Sequence, residues 1–257
     1  MPESVSAPGI PVSAPIEQPR PEIRFPTPTQ KTVEQTPAVV RTFTATARRL
    51  GLGSAVGTVL VCAGYGAVLV AGLRALPSPD QPIGNPWFSL MEVLILLLMP
   101  LLVGLLGAVY AWASAETRVL GLLGLVFMAL LAGLTGSVHF VIFVLSRQAG
   151  FTGPAWEPLL SFRWPSVPYA LDILGWDGFF ALSVLCAAPV FGGSRLARWI
   201  RGLLLASGGL ALAGLSGLAL GDMRLRGLGI VGYAGVFPVA ALLLAVLFYR
   251  AVPASAK

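Results

Sequence analysis

Four ionisable side chains stand inside apolar stretches of this sequence: Glu92, His139, Asp172 and Asp177. Placing a charge in hydrocarbon is costly, so an ionisable residue within a membrane segment is first considered a functional candidate. Carboxylates attract cations and exchange protons, and an imidazole gains or loses its proton near neutral pH. These residue types therefore predict a pocket that binds a small polar or cationic ligand, or that relays protons.

The four residues share one depth when their positions are counted from the ends of their apolar runs. Glu92 lies roughly 8 Å and His139 roughly 12 Å from the run end at a helical rise of 1.5 Å per residue. Asp172 and Asp177 lie roughly 6 and 14 Å inside the next run. Three separate helices therefore bring ionisable groups to one level, which we place in the outer leaflet.

The two aspartates are not expected to point in the same direction. Five positions separate Asp172 from Asp177, which is about 140° around an ideal helix, so at most one should face the bundle centre. Gly175 and Gly178 would permit a local distortion that relaxes this limit. Asp172 could instead serve the start of its helix, near the positive end of the helix dipole.

Two other interpretations of the same residues stay open. Glu92 or Asp172 could orient His139 in a buried hydrogen bond that only locks helices together. Glu92, His139 and Asp172 could also hold a metal ion, which would make the chain a membrane-embedded metal-dependent enzyme. A single histidine is few for such a site, and the sequence has no HExxH or GxSxG motif. We therefore predict no catalytic residue, no metal and no cofactor, and favour a non-enzyme.

The elements that position these residues are six apolar runs, each close to or above the roughly 20 residues that cross a bilayer as a helix. Hydrophobic residues make up 56% of the 257 residues and charged residues 11%, against about a quarter charged in soluble proteins. The runs are continuous rather than alternating, which excludes barrel strands. The sequence therefore predicts an all-α membrane protein, a six-transmembrane-helix bundle with runs at about 50–73, 87–113, 119–146, 168–191, 199–221 and 227–249.

The chain outside these runs is short or rich in proline. Residues 1–47 contain many Pro, Ser and Thr residues and are predicted to form a disordered cytoplasmic tail. The six-helix domain is expected at 48–250, followed by a short C-terminal tail at 251–257. Pro100 and Pro238 are expected to kink the second and sixth helices.

Basic residues predict the orientation of the bundle. The net charge is +6, but the arginines cluster at the ends of apolar runs, which is typical of topology signals rather than of nucleic-acid binding. Nine basic residues fall on the side of the termini and five, including Arg224 and Arg226, on the opposite side. We expect both termini to be cytoplasmic in a cell membrane, with the lipid bilayer as the main partner.

Aromatic and small residues suggest further contacts. Trp87, Trp164, Tyr169 and Trp176 surround the predicted level of the ionisable groups, as interfacial anchors or as part of a lid. The loop 147–168, which is rich in proline and aromatic residues, is the longest connection between runs and could form that lid. A stripe of small residues spaced by four is typical of close helix packing and suggests a homo-oligomer through Gly209, Ala213, Gly217 and Gly221.

Three stretches of the sequence resemble those of uncharacterised bacterial multi-pass membrane proteins. They are NPWFSLMEVLILLLMPLL, GLTGSVHFVIFVLSRQ and WPSVPYALDILGWDGFFALSVL. These stretches include all four ionisable candidates. The resemblance implies a bacterial inner-membrane protein and implies no activity, so no site residue is transferred from it.

Overall fold

The computed structural model describes residues 43–78 and 81–252, and these contain six helices long and apolar enough to cross a membrane. The predicted six-transmembrane-helix fold is therefore confirmed. Residues 1–42 of the predicted disordered tail (1–47) lie outside the described ranges, whereas its last residues, from Ala45 on, belong to the first helix. The helices are α1 (Ala45–Arg74), α2 (Trp87–Trp112), α3 (Arg118–Leu145), α4 (Val167–Val190), α5 (Arg195–Leu220) and α6 (Met223–Arg250).

Three of these helices begin at a hydroxyl side chain. Thr44, Ser166 and Ser194 precede α1, α4 and α5, and each side-chain oxygen accepts a hydrogen bond from the backbone N–H three residues later. Such caps satisfy one of the backbone donors that a helix start leaves without a partner. They fix where each helix enters the bundle.

The first and last helices, α1 and α6, meet at one end of the bundle. This end carries the start of α1 and the end of α6, and we call it the terminal end. The guanidinium of Arg48 on α1 donates to the backbone carbonyls of Phe248 and Tyr249 on α6, at 3.0 and 2.7 Å. Gly51 packs so closely on Phe248 that a Cβ atom there would overlap its ring. The opposite end, which we call the far end, carries the α1–α2, α3–α4 and α5–α6 connections.

Two helices contain a segment with the wider π-helical hydrogen bonding. These segments are Leu174–Phe180 in α4 and Val231–Val236 in α6. The second ends just before Pro238, whose ring removes a backbone donor and disturbs the preceding turn. The hydroxyl of Ser207 on α5 donates to the carbonyl of Gly232 at 2.9 Å, which stabilises the altered backbone.

The outer surface of the bundle is apolar, as expected for a protein solvated by lipid. Large hydrophobic side chains on several helices are more exposed than buried, including Leu60, Val119, Leu220 and Val231. Patches of this extent are rare on soluble monomers. The buried core between the helices contains Leu102, Leu105, Met128, Phe180 and Phe248.

The stripe of small residues on α5 is divided between different surroundings. Gly209 is exposed, and Gly217 is buried against the backbone of the α5–α6 turn. Gly221 lies beyond the helix, in the left-handed conformation that ends it (φ 70°). Since Gly217 and Gly221 serve the chain's own turn, the homo-oligomer stays a prediction without support from this stripe.

Candidate functional site

The predicted ionisable residues meet near the far end of the bundle. Nδ1 of His139 on α3 lies 2.8 Å from Oε2 of Glu92 on α2, within hydrogen-bond distance. Its other ring nitrogen, Nε2, lies 3.6 Å from Oδ1 of Asp172 on α4. The imidazole therefore stands between two carboxylates, and all three side chains are buried.

A fourth helix contributes a cation that the sequence analysis assigned to orientation. Arg226 is buried rather than exposed in the α5–α6 turn, which corrects the expectation that it only sets topology. Its guanidinium donates to Oδ2 of Asp172 at 2.9 Å and to Oδ2 of Asp177 at 3.3 Å. The result is a continuous network from Glu92 through His139, Asp172 and Arg226 to Asp177, called the charge network below.

The π segment of α4 explains how both aspartates reach one arginine. In a π turn the backbone hydrogen bonds join residues five positions apart, so Asp172 and Asp177 come nearer to one face than in an ideal α-helix. The segment includes Gly175, whose missing side chain leaves room for Thr135 of α3. The distortion that Gly175 and Gly178 permit is therefore present, and Asp172 does not merely serve the helix start.

Asp177 sits at a close crossing of α5 and α6. Its carboxylate packs against Gly214 and Gly229, and a Cβ atom on Gly229 would collide with it. Asp177 is fully buried, and its Oδ1 atom has no hydrogen-bond partner within the described part of the chain. Small residues on two helices are therefore needed to admit this carboxylate beside Arg226.

The charge network contains more acidic than basic groups. Three carboxylates face one permanent cation, Arg226, and His139 is positive only when both ring nitrogens carry a proton. If all three carboxylates are ionised, negative charge remains in excess even with His139 protonated. Inside a low-dielectric bundle such an excess attracts a cation strongly.

A cavity of about 860 Å³ adjoins the charge network. Glu92, His139, Asp172 and Arg226 line its wall, whereas Asp177 lies behind Arg226 and does not reach it. The remaining wall is formed by α1, α2, α4 and α6 and by the α1–α2 and α3–α4 loops. Its aromatic side chains are Tyr65, Phe88, Phe162, Trp176, Tyr233 and Phe237.

The α3–α4 loop lies over the network at the far end. The ring of Phe162 stacks on the imidazole of His139 with their centroids 4.7 Å apart. Sequence reasoning did not single out Phe162, although it lies in the loop expected to form a lid. Its place in a proline-bounded apolar segment was the signal that could have identified it.

The four aromatic candidates occupy different places. The guanidinium of Arg226 lies 4.3 Å from the ring centroid of Tyr169, a cation–π contact that places this ring in the site. Trp176 is buried and lines the cavity, whereas Trp164 is 46% exposed. Trp87 begins α2 and packs near Gly72 of α1. Tyr169 and Trp176 are thus near the charge network, and Trp87 and Trp164 are not shown to contact it.

The arrangement does not favour a metal ion between Glu92, His139 and Asp172. The two carboxylates approach opposite nitrogens of one ring, so they cannot join a single ring nitrogen around one ion. Across residues 43–78 and 81–252, no group of three His, Cys, Asp or Glu side chains is placed to hold a metal.

Comparison with known proteins gives no relative from which a function could be inferred. No protein-family model, no curated protein and no solved structure matches this chain. Function must therefore be argued from the site itself.

Proposed function

We propose that this integral membrane protein binds a small ammonium-type cation in the cavity beside Glu92 and His139. The observation that carries the proposal is the excess of carboxylates in a buried network that lines a cavity. The proposed setting is a bacterial cytoplasmic membrane, with both termini in the cytoplasm and the cavity in the outer half of the bilayer.

The aromatic wall supports an organic cation rather than a bare metal ion. The faces of tyrosine, phenylalanine and tryptophan attract ammonium groups, most strongly when water is excluded. Tyr65 on α1, Trp176 on α4 and Tyr233 on α6 line the same cavity as Glu92. A cation in this cavity would therefore meet one carboxylate and several rings, which is typical of sites for alkylated ammonium ions.

His139 would adjust the charge of the site. With one ring proton it can donate to only one carboxylate, and with two it can donate to both Glu92 and Asp172. A cation that approaches Glu92 would compete with the imidazole for that carboxylate. Ligand binding and proton release from His139 are coupled in this proposal.

A proton relay across the whole bilayer has less support. Towards the terminal end, the buried polar side chains of the described helices are hydroxyls such as Ser54, Thr58 and Ser207. None of these three lines the cavity, and Arg226 does not give up its proton in proteins. Proton movement is therefore proposed only within Glu92, His139 and Asp172.

A purely structural role is the alternative, and one observation favours it. Every charged group of the network has a partner of opposite charge or a hydrogen bond within the chain. A network of this kind can join α2, α3, α4 and α6 without a ligand. The two proposals differ in whether a cation binds at Glu92.

Titration of purified protein with tetramethylammonium chloride separates them. Binding to the wild type should be saturable and should weaken at least about tenfold in Glu92→Gln, because an ionised contact in a dry site contributes about 1.5–3 kcal/mol. Glu116→Gln, an exposed carboxylate at the opposite end, is the control and should bind like the wild type. Equal binding by Glu92→Gln, or none by a folded wild type, would leave only the structural role.

A further inference from the structure

The shape of the cavity points to a more specific ligand, and this inference rests on the proposed function. We infer that the cavity binds a single-chain amphiphile, with an ammonium head at the charge network and an alkyl tail directed towards the bilayer centre. The tail would lie between α1, α2 and α6. Its head would be held by Glu92 and the surrounding aromatic rings.

The cavity is long in the direction of the helices. Glu92 and Leu102 both line it, and ten positions along α2 correspond to about 15 Å. On α6 the lining extends from Arg226 at the far end to Phe237 near the middle of the helix. A small cation fills only one end of such a space.

The polarity of the wall changes along this length. At the far end the lining includes the network residues other than Asp177, together with Glu157 and Arg163 of the loop. Deeper in the bundle the lining side chains are apolar: Val61, Leu98, Leu102 and Phe237. A ligand that satisfies both parts must itself be charged at one end and apolar at the other.

The cavity changes from charged to apolar in the same direction as the surrounding lipid leaflet. The charged end of the cavity lies near a helix end and the apolar end lies near the centre of the spans, as in one leaflet of lipid. A membrane-dissolved amphiphile would therefore meet the cavity already in the correct direction. It would not have to turn over or enter water.

The cavity also reaches the outer surface of the helical bundle. Gly66 on α1 and Ile230 and Ala234 on α6 line the cavity and are exposed. α1 and α6 pack together through the terminal half of α6, where Arg48 donates a hydrogen bond to the carbonyl of Phe248. Towards the far end the cavity lies between them, so the gap faces the region that lipid tails occupy.

A series of alkyltrimethylammonium ions with methyl, butyl, octyl, decyl, dodecyl and hexadecyl chains tests the inference. Calorimetry on protein in lipid nanodiscs, corrected for partition into empty nanodiscs, should show affinity rising about three- to fourfold for each added CH₂ when it is expressed against the free aqueous concentration. The gain should end near about ten to twelve carbons, the length that fits about 15 Å of helix. Decanoate, which has the opposite head charge, should bind at least about tenfold more weakly than decyltrimethylammonium.

Two neighbouring leucines provide matched variants. Leu98 lines the cavity and is buried, whereas Leu97 is 53% exposed on the same helix. Leu98→Trp should abolish the gain from chain length and retain tetramethylammonium binding, and Leu97→Trp should behave like the wild type. If Leu98→Trp fails to fold, a protection experiment on the wild type replaces this variant, because Cys62 lines the cavity. Octyltrimethylammonium, but not tetramethylammonium, should slow the alkylation of Cys62, and Cys186 serves as the internal control.

The outcomes separate the two proposals. Tetramethylammonium binding that depends on Glu92, with no gain from longer chains and no protection of Cys62, would overturn the amphiphile and keep the cation site. Equal binding of decanoate and decyltrimethylammonium would also overturn the amphiphile proposal, because the charge of the head group would then not be recognised. No saturable binding of any cation would remove the proposed function itself.

Discussion

Asp172 and Arg226 form an ion pair of 2.9 Å at the centre of the charge network, although 54 positions separate them in the chain. The pair joins α4 to the first turn of α6, and Asp177 contacts the same guanidinium from behind. One arginine thus holds two carboxylates in place, one of which faces the cavity. The stability of the network and the geometry of the site depend on the same residue.

Arg226→Gln is predicted to destabilise the protein by about 3–5 kcal/mol, because it leaves two buried carboxylates without their cation. Arg224→Gln provides the control, since Arg224 lies in the same first turn of α6 but is exposed. It should change stability by no more than about 0.5 kcal/mol. Thermal unfolding in detergent measures both, and equal unfolding of the two variants would show that the pair contributes little.

A second prediction concerns Gly229, the glycine of α6 that borders Asp177. Gly229→Ala should cost about 1–3 kcal/mol, because its Cβ atom would collide with the Asp177 carboxylate in a packed crossing. Gly227→Ala lies two residues away with open space around it and should be neutral or stabilise by up to about 1 kcal/mol. Chemical unfolding of both variants compares them. A similar loss of stability in Gly229→Ala and Gly227→Ala would contradict the close packing of Asp177 against Gly229.

Much of the fold could be predicted because membrane helices are specified locally. Each span needs only a long run of apolar residues, and that property is visible in the sequence without any tertiary contact. The common level of Glu92, His139 and Asp172 followed from the same counting, since helix rise converts position into depth. Which side chains touch is a separate question that depends on helix rotation.

Arg226 shows why the rest of the site could not be predicted. It lies at the start of an apolar run beside Arg224, and a basic pair at that place is typical of an orientation signal. Arg226 turns inwards where the chain reverses at Gly221 and α6 begins with a tighter turn. The π segment of α4 was foreseen only as a distortion that Gly175 and Gly178 would permit, so the sequence left open whether Asp172 and Asp177 converge.

The orientation of the bundle is a further testable prediction. In a background with both cysteines replaced by alanine, Gly150→Cys in the α3–α4 loop should react with a membrane-impermeant maleimide on intact cells. Gly192→Cys, between α4 and α5, should react only after the cells are opened. Both glycines are exposed with open space around them, so a small side chain is tolerated. The reverse labelling pattern would place the charge network on the cytoplasmic side.

The last prediction tests whether the α3–α4 loop covers the site. Phe162→Ala removes the ring that stacks on His139, which should open the cavity to water at the far end. It should also cost about 0.5–1.5 kcal/mol beyond the lost burial.

Phe151 is the matched control, because its ring contacts that of Trp156 within the same loop, with centroids 4.6 Å apart, and does not line the cavity. In a Cys186→Ala background, alkylation of Cys62 by a water-soluble maleimide should be several times faster in Phe162→Ala than in Phe151→Ala. Unchanged alkylation in Phe162→Ala would mean that the loop anchors the bundle at the membrane surface without closing the cavity. Binding of tetramethylammonium should weaken in the same variant, since Phe162 is one of the rings that would surround the cation.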